Sequence, residues 1–193
     1  MTKGRLIVIS APSGSGKTSI AKAILKKFPS ILFSVSATTR PIRPGETEGK
    51  DYFFLTPEEF QERIRQGDLV EWEEIYGHFY GTLRSEVDRA LSAGHIMLFD
   101  IDVKGGLSIK RLYRDDAVLI FIDPPGMEIL KERLRNRNTE DPAALERRLE
   151  RVPMELAQGA KFDFRVVNDD LARATAEVES IIRSHVDFET IHT

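Results

Sequence analysis

Arg5-Leu6-Ile7-Val8-Ile9-Ser10-Ala11-Pro12-Ser13-Gly14-Ser15-Gly16-Lys17-Thr18-Ser19-Ile20 is the stretch that decides the fold. Its opening apolar run reads as a buried strand over 5–10. Farther on, Ile20, Ala21, Ile24, Leu25 and Phe28 fall on one face of a helix over about 16–28. Between them, Ala11 to Thr18 is a glycine-rich turn that ends in Lys-Thr, the setting of a phosphate-binding loop. The glycines let the backbone curl so that N–H groups point inward at a polyphosphate, and the helix start adds a partial positive charge. Lys17 would reach the β- and γ-phosphates, and the Thr18 hydroxyl would ligate Mg²⁺ directly. The candidate triphosphate-binding set is therefore Ala11, Pro12, Ser13, Gly14, Ser15, Gly16, Lys17, Thr18 and Ser19. Its first position departs from the usual pattern, because Ala11 stands where glycine is common.

Outward from this loop, strands and helices alternate. Further strands are expected at 31–36, 95–101, 117–122 and 164–167, and helices at about 84–93, 103–112, 126–137, 142–158 and 171–185. Such alternation argues for an α/β fold, a mostly parallel sheet covered by helices on both faces. A chain of 193 residues fits one domain with small insertions. Net charge is −3, which gives no overall pull toward nucleic acid or an anionic membrane. No cysteine occurs, which excludes disulfides and thiolate metal sites. The amino-terminal residues have the wrong shape for a signal peptide, and no apolar run approaches a membrane span. A cytoplasmic enzyme is the expectation. Monomer and homo-oligomer are equally compatible with the sequence.

Residues 37–82 break the α/β rhythm. Arg40-Pro41-Ile42-Arg43-Pro44-Gly45-Glu46 is turn-rich, while 52–55 and 69–76 read as strands. A short helix lies between them, started by Thr56-Pro57-Glu58-Glu59 and closed by Gly67. Together they suggest a small β-rich insertion on one edge of the main sheet, with the core made of 1–36 and 83–193. Arg40 and Arg43 beside Tyr52 and Tyr80 suit a monophosphate clamp, since arginine grips phosphate with two parallel N–H donors. Glu71, in a strand context, could accept two adjacent N–H donors of the kind guanine presents and adenine does not. Surface charges on a loop and a solvated strand face are the plainer readings of the same residues. Asp100 and Asp102 end the strand 95–101, where a carboxylate can hold Mg²⁺ through water or bond an acceptor; Asp102 can equally cap the next helix. Arg133, Arg135, Arg137, Arg147 and Arg148 flank the turn-like 138–141 and could form a helical lid over about 133–150, or a solvated basic face.

In this combination the chain resembles the guanylate kinases. The resemblance covers about residues 5–185 and is carried by Ser34 to Glu46, Gly49 to Phe54, Glu71-Trp72, Tyr80-Gly81-Thr82, Asp100 to Gly106 and Val167 to Asp170, as well as by the glycine-rich loop. It implies a P-loop NTPase fold, a GMP-binding domain from the insertion, a lid from the arginine stretch, and Mg-dependent phosphoryl transfer from ATP to GMP, with dGMP as a further acceptor. By position, Arg40, Arg43, Tyr52 and Tyr80 match the GMP phosphate clamp. Ser36, Glu71, Thr82 and Asp100 match the guanine set, and Asp102 a second aspartate near the acceptor. Lys17 matches the phosphate-bridging lysine. Arg133, Arg137 and Arg148 match lid arginines that approach ATP and the moving phosphoryl group, and Asn168 a residue near adenine. Besides Ala11, the departures are Asn138, where glycine is usual, and Lys104, where glutamine is usual. A P-loop kinase of another small phosphate and an inactive, guanylate-kinase-like protein-binding module stay open as alternatives. The intact Lys17 and Thr18 argue against the second.

Overall fold

The computed structural model describes residues 4–75, 77–136 and 142–186 of the chain. Five strands form one parallel sheet: β1 (Arg5–Ser10), β2 (Leu32–Phe33), β7 (Ile96–Asp100), β8 (Ala117–Asp123) and β9 (Phe164–Val167). Their order is β2-β7-β1-β8-β9, which puts β1 at the centre. Four more strands, β3 (Ala37–Thr38), β4 (Phe53–Phe54), β5 (Leu69–Ile75) and β6 (His78–Leu83), form a separate sheet of order β4-β3-β6-β5. The helices are α1 (Lys17–Lys27), α2 (Pro57–Gln66), α3 (Arg84–Ser92), α4 (Val103–Tyr113), α5 (Met127–Asn136), α6 (Pro142–Gly159) and α7 (Leu171–His185).

The central strands bury both faces, and this explains their unbroken apolar runs. From β1, Ile7 and Ile9 point into a core that includes Ile20 and Ile24 of α1 and Ala174, Val178 and Ile182 of α7. Leu6 and Val8 point the other way, among Val87 of α3, Val103 and Ile109 of α4, and Phe99 and Phe121. Strand β8 alternates in the same manner, with Val118, Ile120 and Ile122 on the first face and Leu119 and Phe121 on the second. A third apolar cluster around Phe60 holds α2 to the second sheet. A fourth, of Leu130, Leu134 and Val152, joins α5 to α6.

Local signals in the sequence are realised closely. Thr56 and Glu59 form a reciprocal capping box at α2, and Gly67 ends that helix at φ 71°. Three expectations change. The strand expected over 31–36 is only Leu32–Phe33, because the chain pairs with β7 at the sheet edge and then crosses to the second sheet at Ala37. The insertion does not extend an edge of the main sheet; it makes its own sheet, whose β5 packs on α4. Strand β6 was not anticipated: His78 to Leu83 has no clean alternation, and its pairing with β5 and β3 is a long-range fact.

The close of α6 is tightly seated. A Cβ on Gly159 would stand 2.6 Å from the ring of the fully buried Phe121. Gly159→Ala should therefore cost about 1–3 kcal/mol by overpacking and lower the melting temperature by several degrees. An unchanged unfolding curve would contradict this packing.

Candidate active site

The loop after β1 takes the shape its glycines allow. Gly14 and Gly16 have φ of 90° and 89°, a left-handed conformation that side chains resist. The only non-glycine positive φ among the described residues is at Arg114. Ala11 is thus unstrained, and it is buried in the core. Its methyl group replaces the usual glycine without cost to the turn. The loop is braced from behind. Asn168, buried at the end of β9, donates from Nδ2 to the Ser15 carbonyl at 2.7 Å. A Cβ on Gly16 would lie 2.2 Å from that nitrogen, so this glycine is demanded by space as well as by φ.

Lys17 Nζ reaches across to β7, 2.5 Å from Asp100 Oδ1 and 3.0 Å from the Ile101 carbonyl it donates to. Thr18 Oγ1 donates to Asp100 Oδ2 at 2.9 Å. Asp102 accepts from the Gly105 N–H at 2.7 Å and caps α4, while its Oδ2 faces Arg151 at 3.6 Å. Asp102 therefore caps a helix, the plainer of its two readings, and also lines both clefts of the site.

Two clefts adjoin here. The first, of about 250 Å³, is lined by Ala11, Pro12, Ser13, Gly14, Gly16, Lys17 and Thr18 on the loop side and by Arg148, Arg151 and Glu155 of α6 opposite. Arg148 Nη1 donates to Ser13 Oγ at 3.0 Å. The second, of about 240 Å³, lies between the sheets and is lined by Ser36, Tyr52, Glu71, Glu73, Tyr80, Gly81 and Asp100. Lys17, Ile75 and Asp102 line both. The two clefts therefore adjoin along these three residues.

Alternation along β5 explains the carboxylates. Glu71 and Glu73 turn inward while Trp72 and Glu74 are exposed, with a register shift between Leu69 and Glu71. Glu71 Oε1 accepts from Thr82 Oγ1 at 2.6 Å, and α4 starts so close that a Cβ on Gly105 would lie 2.7 Å from Glu71 Oε2. The residue keeps partial exposure at the cleft wall, but its carboxyl group is enclosed. Burial pushes its pKa up to about 7, against the pull of the Thr82 hydroxyl, and the nearby Glu73 charge adds to the rise.

Arg40 is buried, stacks 5.2 Å over the Tyr52 ring, and makes a two-pronged pair with Glu46 at 2.7 and 3.0 Å. That hydrogen bonding with Glu46 raises the arginine pKa further, ahead of the opposing effect of burial, and holds the Glu46 carboxyl below its ordinary value. Tyr52 and Tyr80 meet edge-on at 6.2 Å, and burial raises the Tyr52 pKa. Arg43 is exposed, and its backbone N–H, rather than its side chain, is what binds Glu46, at 2.7 Å.

The structure thus brings together Lys17, Thr18, Asp100, Asp102, Ser36, Tyr52, Glu71, Tyr80, Thr82 and Arg148. It sets Ser15 and Asn168 behind the loop instead of in the cleft, and Arg133 donates from Nη2 to the Asn168 carbonyl at 3.1 Å. Ser19 is exposed on α1 and lines neither cleft. Arg137 and Asn138 lie outside the described residues. Arg151 and Glu155 were missed by sequence reasoning. The clue was helical spacing: Arg151 lies three residues after the foreseen Arg148 and four before Glu155.

A glycine-rich loop at the carboxyl end of the central parallel strand, with Lys17 and Thr18 set against Asp100, defines a P-loop nucleotide-binding protein. Comparison with known proteins narrows this. The guanylate kinase family model matches residues 3–185. A guanylate kinase of Chlorobaculum tepidum is 50% identical over 182 residues, covering 94% of this chain and 93% of its own. One from Salinibacter ruber is 50% identical over 184 residues, covering 95% and 97%. The crystal structure of guanylate kinase from Anaplasma phagocytophilum superposes with a TM-score of 0.76 at 32% identity, over 100% of this chain and 89% of that one. The chain belongs to the guanylate kinase family, and its activity is that of an ATP:GMP phosphotransferase.

Glu71 leaves a measurable trace on stability. Its folded pKa, about 7, lies above the ordinary 4.5, so the folded state holds the proton more tightly. The stability this contributes is whole below about pH 4.5, declines as pH rises, and is lost above pH 7. Glu71→Gln, which never ionises, should therefore stabilise the chain by about 1–3 kcal/mol at pH 8 and far less at pH 4.5. Equal effects at both pH values in urea titrations would refute the raised pKa.

Proposed function

We propose that the loop cleft takes ATP and the cleft between the sheets takes GMP, with phosphoryl transfer at their junction. The observation that carries this reading is the sharing of Lys17 and Asp102 by both clefts. The loop amides and Lys17 hold the triphosphate, and Arg40, Arg43, Tyr52 and Tyr80 hold the GMP phosphate. Glu71, kept in place by Thr82 and supported by Ser36 and Asp100, accepts the N1 and N2 protons of guanine; adenine offers it no such pair. Arg148, with Arg133 and Arg137, is assigned to the charge of the moving group.

In the transfer, an oxygen of the GMP phosphate attacks the γ-phosphorus in line. That P–O bond forms as the bond to the β,γ-bridging oxygen breaks, giving GDP and ADP. The acceptor oxygen is already anionic, so no general base is needed. The demand is to bring two anions together, and positioned cations meet it. Glu46 and Tyr52 brace Arg40, and an arriving phosphate would share or take over the N–H donors from which Glu46 accepts.

Mg²⁺ fits the same place. The Thr18 hydroxyl, which lines the loop cleft, and the Asp100 carboxylate, which lines the cleft between the sheets, offer hard oxygen donors side by side. An ion held there would take most of its other ligands from phosphates and water. When bound, Mg²⁺ neutralises developing charge on the phosphate oxygens.

The same proposal treats 37–82 as the GMP-binding domain and about 133–150 as a lid that closes over the ligands and excludes water. Its setting is cytoplasmic. Asn168, assigned to the neighbourhood of adenine, also braces the loop through the Ser15 carbonyl.

A coupled ADP-release assay with GMP, dGMP, AMP, UMP and CMP tests the acceptor: GMP and dGMP should turn over, and equal rates with AMP would remove Glu71 from its role. Arg40→Ala should reduce kcat/KM for GMP by about 10²-fold or more, since charge-assisted bonds are lost, with ATP affinity nearly intact. Lys17→Ala should lower kcat by about 10³-fold. Normal turnover in either variant would contradict its assignment.

A further inference from the structure

The partition between the two clefts is an ion pair, and its members come from different parts of the fold. Arg151 of α6 lines the loop cleft, and Glu73 of β5 lines the cleft between the sheets. Arg151 Nη2 lies 3.2 Å from both carboxylate oxygens of Glu73. The same guanidinium is 3.6 Å from Asp102 Oδ2 and, through Nε, 3.7 Å from Glu155 Oε1. The side chains of Arg151 and Glu73 are only 25% and 14% exposed, so salt screens the pair weakly.

We propose that Arg151 is a positioning residue that couples the two nucleotide sites through Glu73. This rests on the reading of the clefts as ATP and GMP sites. Glu73 lies two residues from Glu71 on the same face of β5. A guanine held by Glu71 therefore steadies the strand that carries Glu73. Glu73 in turn competes with Glu155 and Asp102 for Arg151. Without it, the guanidinium would settle on Glu155, its neighbour one helical turn on. With it, the guanidinium stays across the loop cleft, three residues from the Arg148 that touches Ser13. GMP binding then raises the fraction of molecules in which this cation stands beside the loop cleft before ATP arrives. By linkage, ATP tightens GMP by the same factor.

Lys104 enters the same circuit. It stands where the family usually has glutamine, and its Nζ lies 2.9 Å from Glu73 Oε1. The carboxylate is thereby held from the α4 side as well as from α6.

Calorimetry on the full chain decides this. The affinity of a non-hydrolysable ATP analogue is measured with and without saturating GMP in wild type, Glu73→Gln, Arg151→Met, the double variant and Arg151→Lys, together with each melting temperature. In wild type, GMP should tighten the analogue by about 5-fold or more. Glu73→Gln and Arg151→Met should each bring that ratio close to 1, the double variant should lose no more than either single, and Arg151→Lys should restore part of it. A merely structural role would lower melting temperature and both separate affinities while leaving the ratio in place. The proposal is overturned if the ratio survives in both single variants, if the losses add in the double variant, or if wild type shows no coupling. If Glu73→Gln does not fold, Arg151→Lys against Arg151→Met decides by the same ratio. Failure of the two-site reading is distinct: GMP and the analogue would then compete in wild type.

Discussion

The contact on which the site depends is the pairing of Lys17 with Asp100. Lys17 belongs to the first turn of α1, and Asp100 ends β7. They meet because β1 and β7 run parallel with Ile9 opposite Asp100. A slip of one residue in that pairing would turn Asp100 to the other face of the sheet and leave the lysine facing Phe99 or Ile101. The register is secured by the core itself, since Val8 and Phe99 share one face and Ile7 and Leu98 the other. Apolar packing far from any phosphate thus sets where the ammonium group stands. Thr18 donating to the second oxygen of Asp100 locks the carboxylate's rotation as well.

From this point the two halves of the site inherit different electrostatics. The loop half gathers donors, the backbone N–H groups, Lys17 and arginines of α6, with the carboxylates of Asp102 and Glu155 at its wall. The other half mixes charges, with Arg40 against Glu46 and two inward carboxylates on β5. Under the proposed two-site reading that difference suits the ligands, since a triphosphate calls chiefly for cations, whereas a purine monophosphate calls for cations at one end and acceptors at the other. Enclosure, with the Glu73 charge adding to it, raises the Glu71 pKa to about 7, so near that pH a substantial share of the carboxyl groups hold a proton. The acceptor cleft therefore carries less negative charge when empty than a count of its carboxylates suggests.

Much of the fold was readable from the chain because its signals are local. The apolar runs at 5–10, 96–100 and 117–123, the capping box at Thr56, and the glycine-rich loop each act within a few residues. What was not readable came from pairing at a distance. Strand β6 exists because β5 and β3 flank it, and β2 is short because the chain leaves for another sheet. The site divides in the same way. Lys17, Thr18 and Asp100 follow from motif and strand end. Arg151 and Glu155 do not, because their place depends on how α6 lies over the loop, and an arginine among acidic residues on a helix reads as ordinary surface charge. Asn168 could be named from its resemblance but not placed, since its bond to Ser15 spans 153 positions of sequence.

That bond has a consequence for how the chain can vary. The Asn168 amide fills the space a side chain on Gly16 would need and satisfies a carbonyl of the loop it supports. The two positions therefore constrain each other. A residue at 16 larger than glycine would meet both that amide and a left-handed backbone, so a smaller partner at 168 would not by itself admit one, and it would take the donor away from the Ser15 carbonyl. The end of the last strand of the sheet is thus tied to the turn after the first by one side-chain amide, and a change at either position is felt at the other.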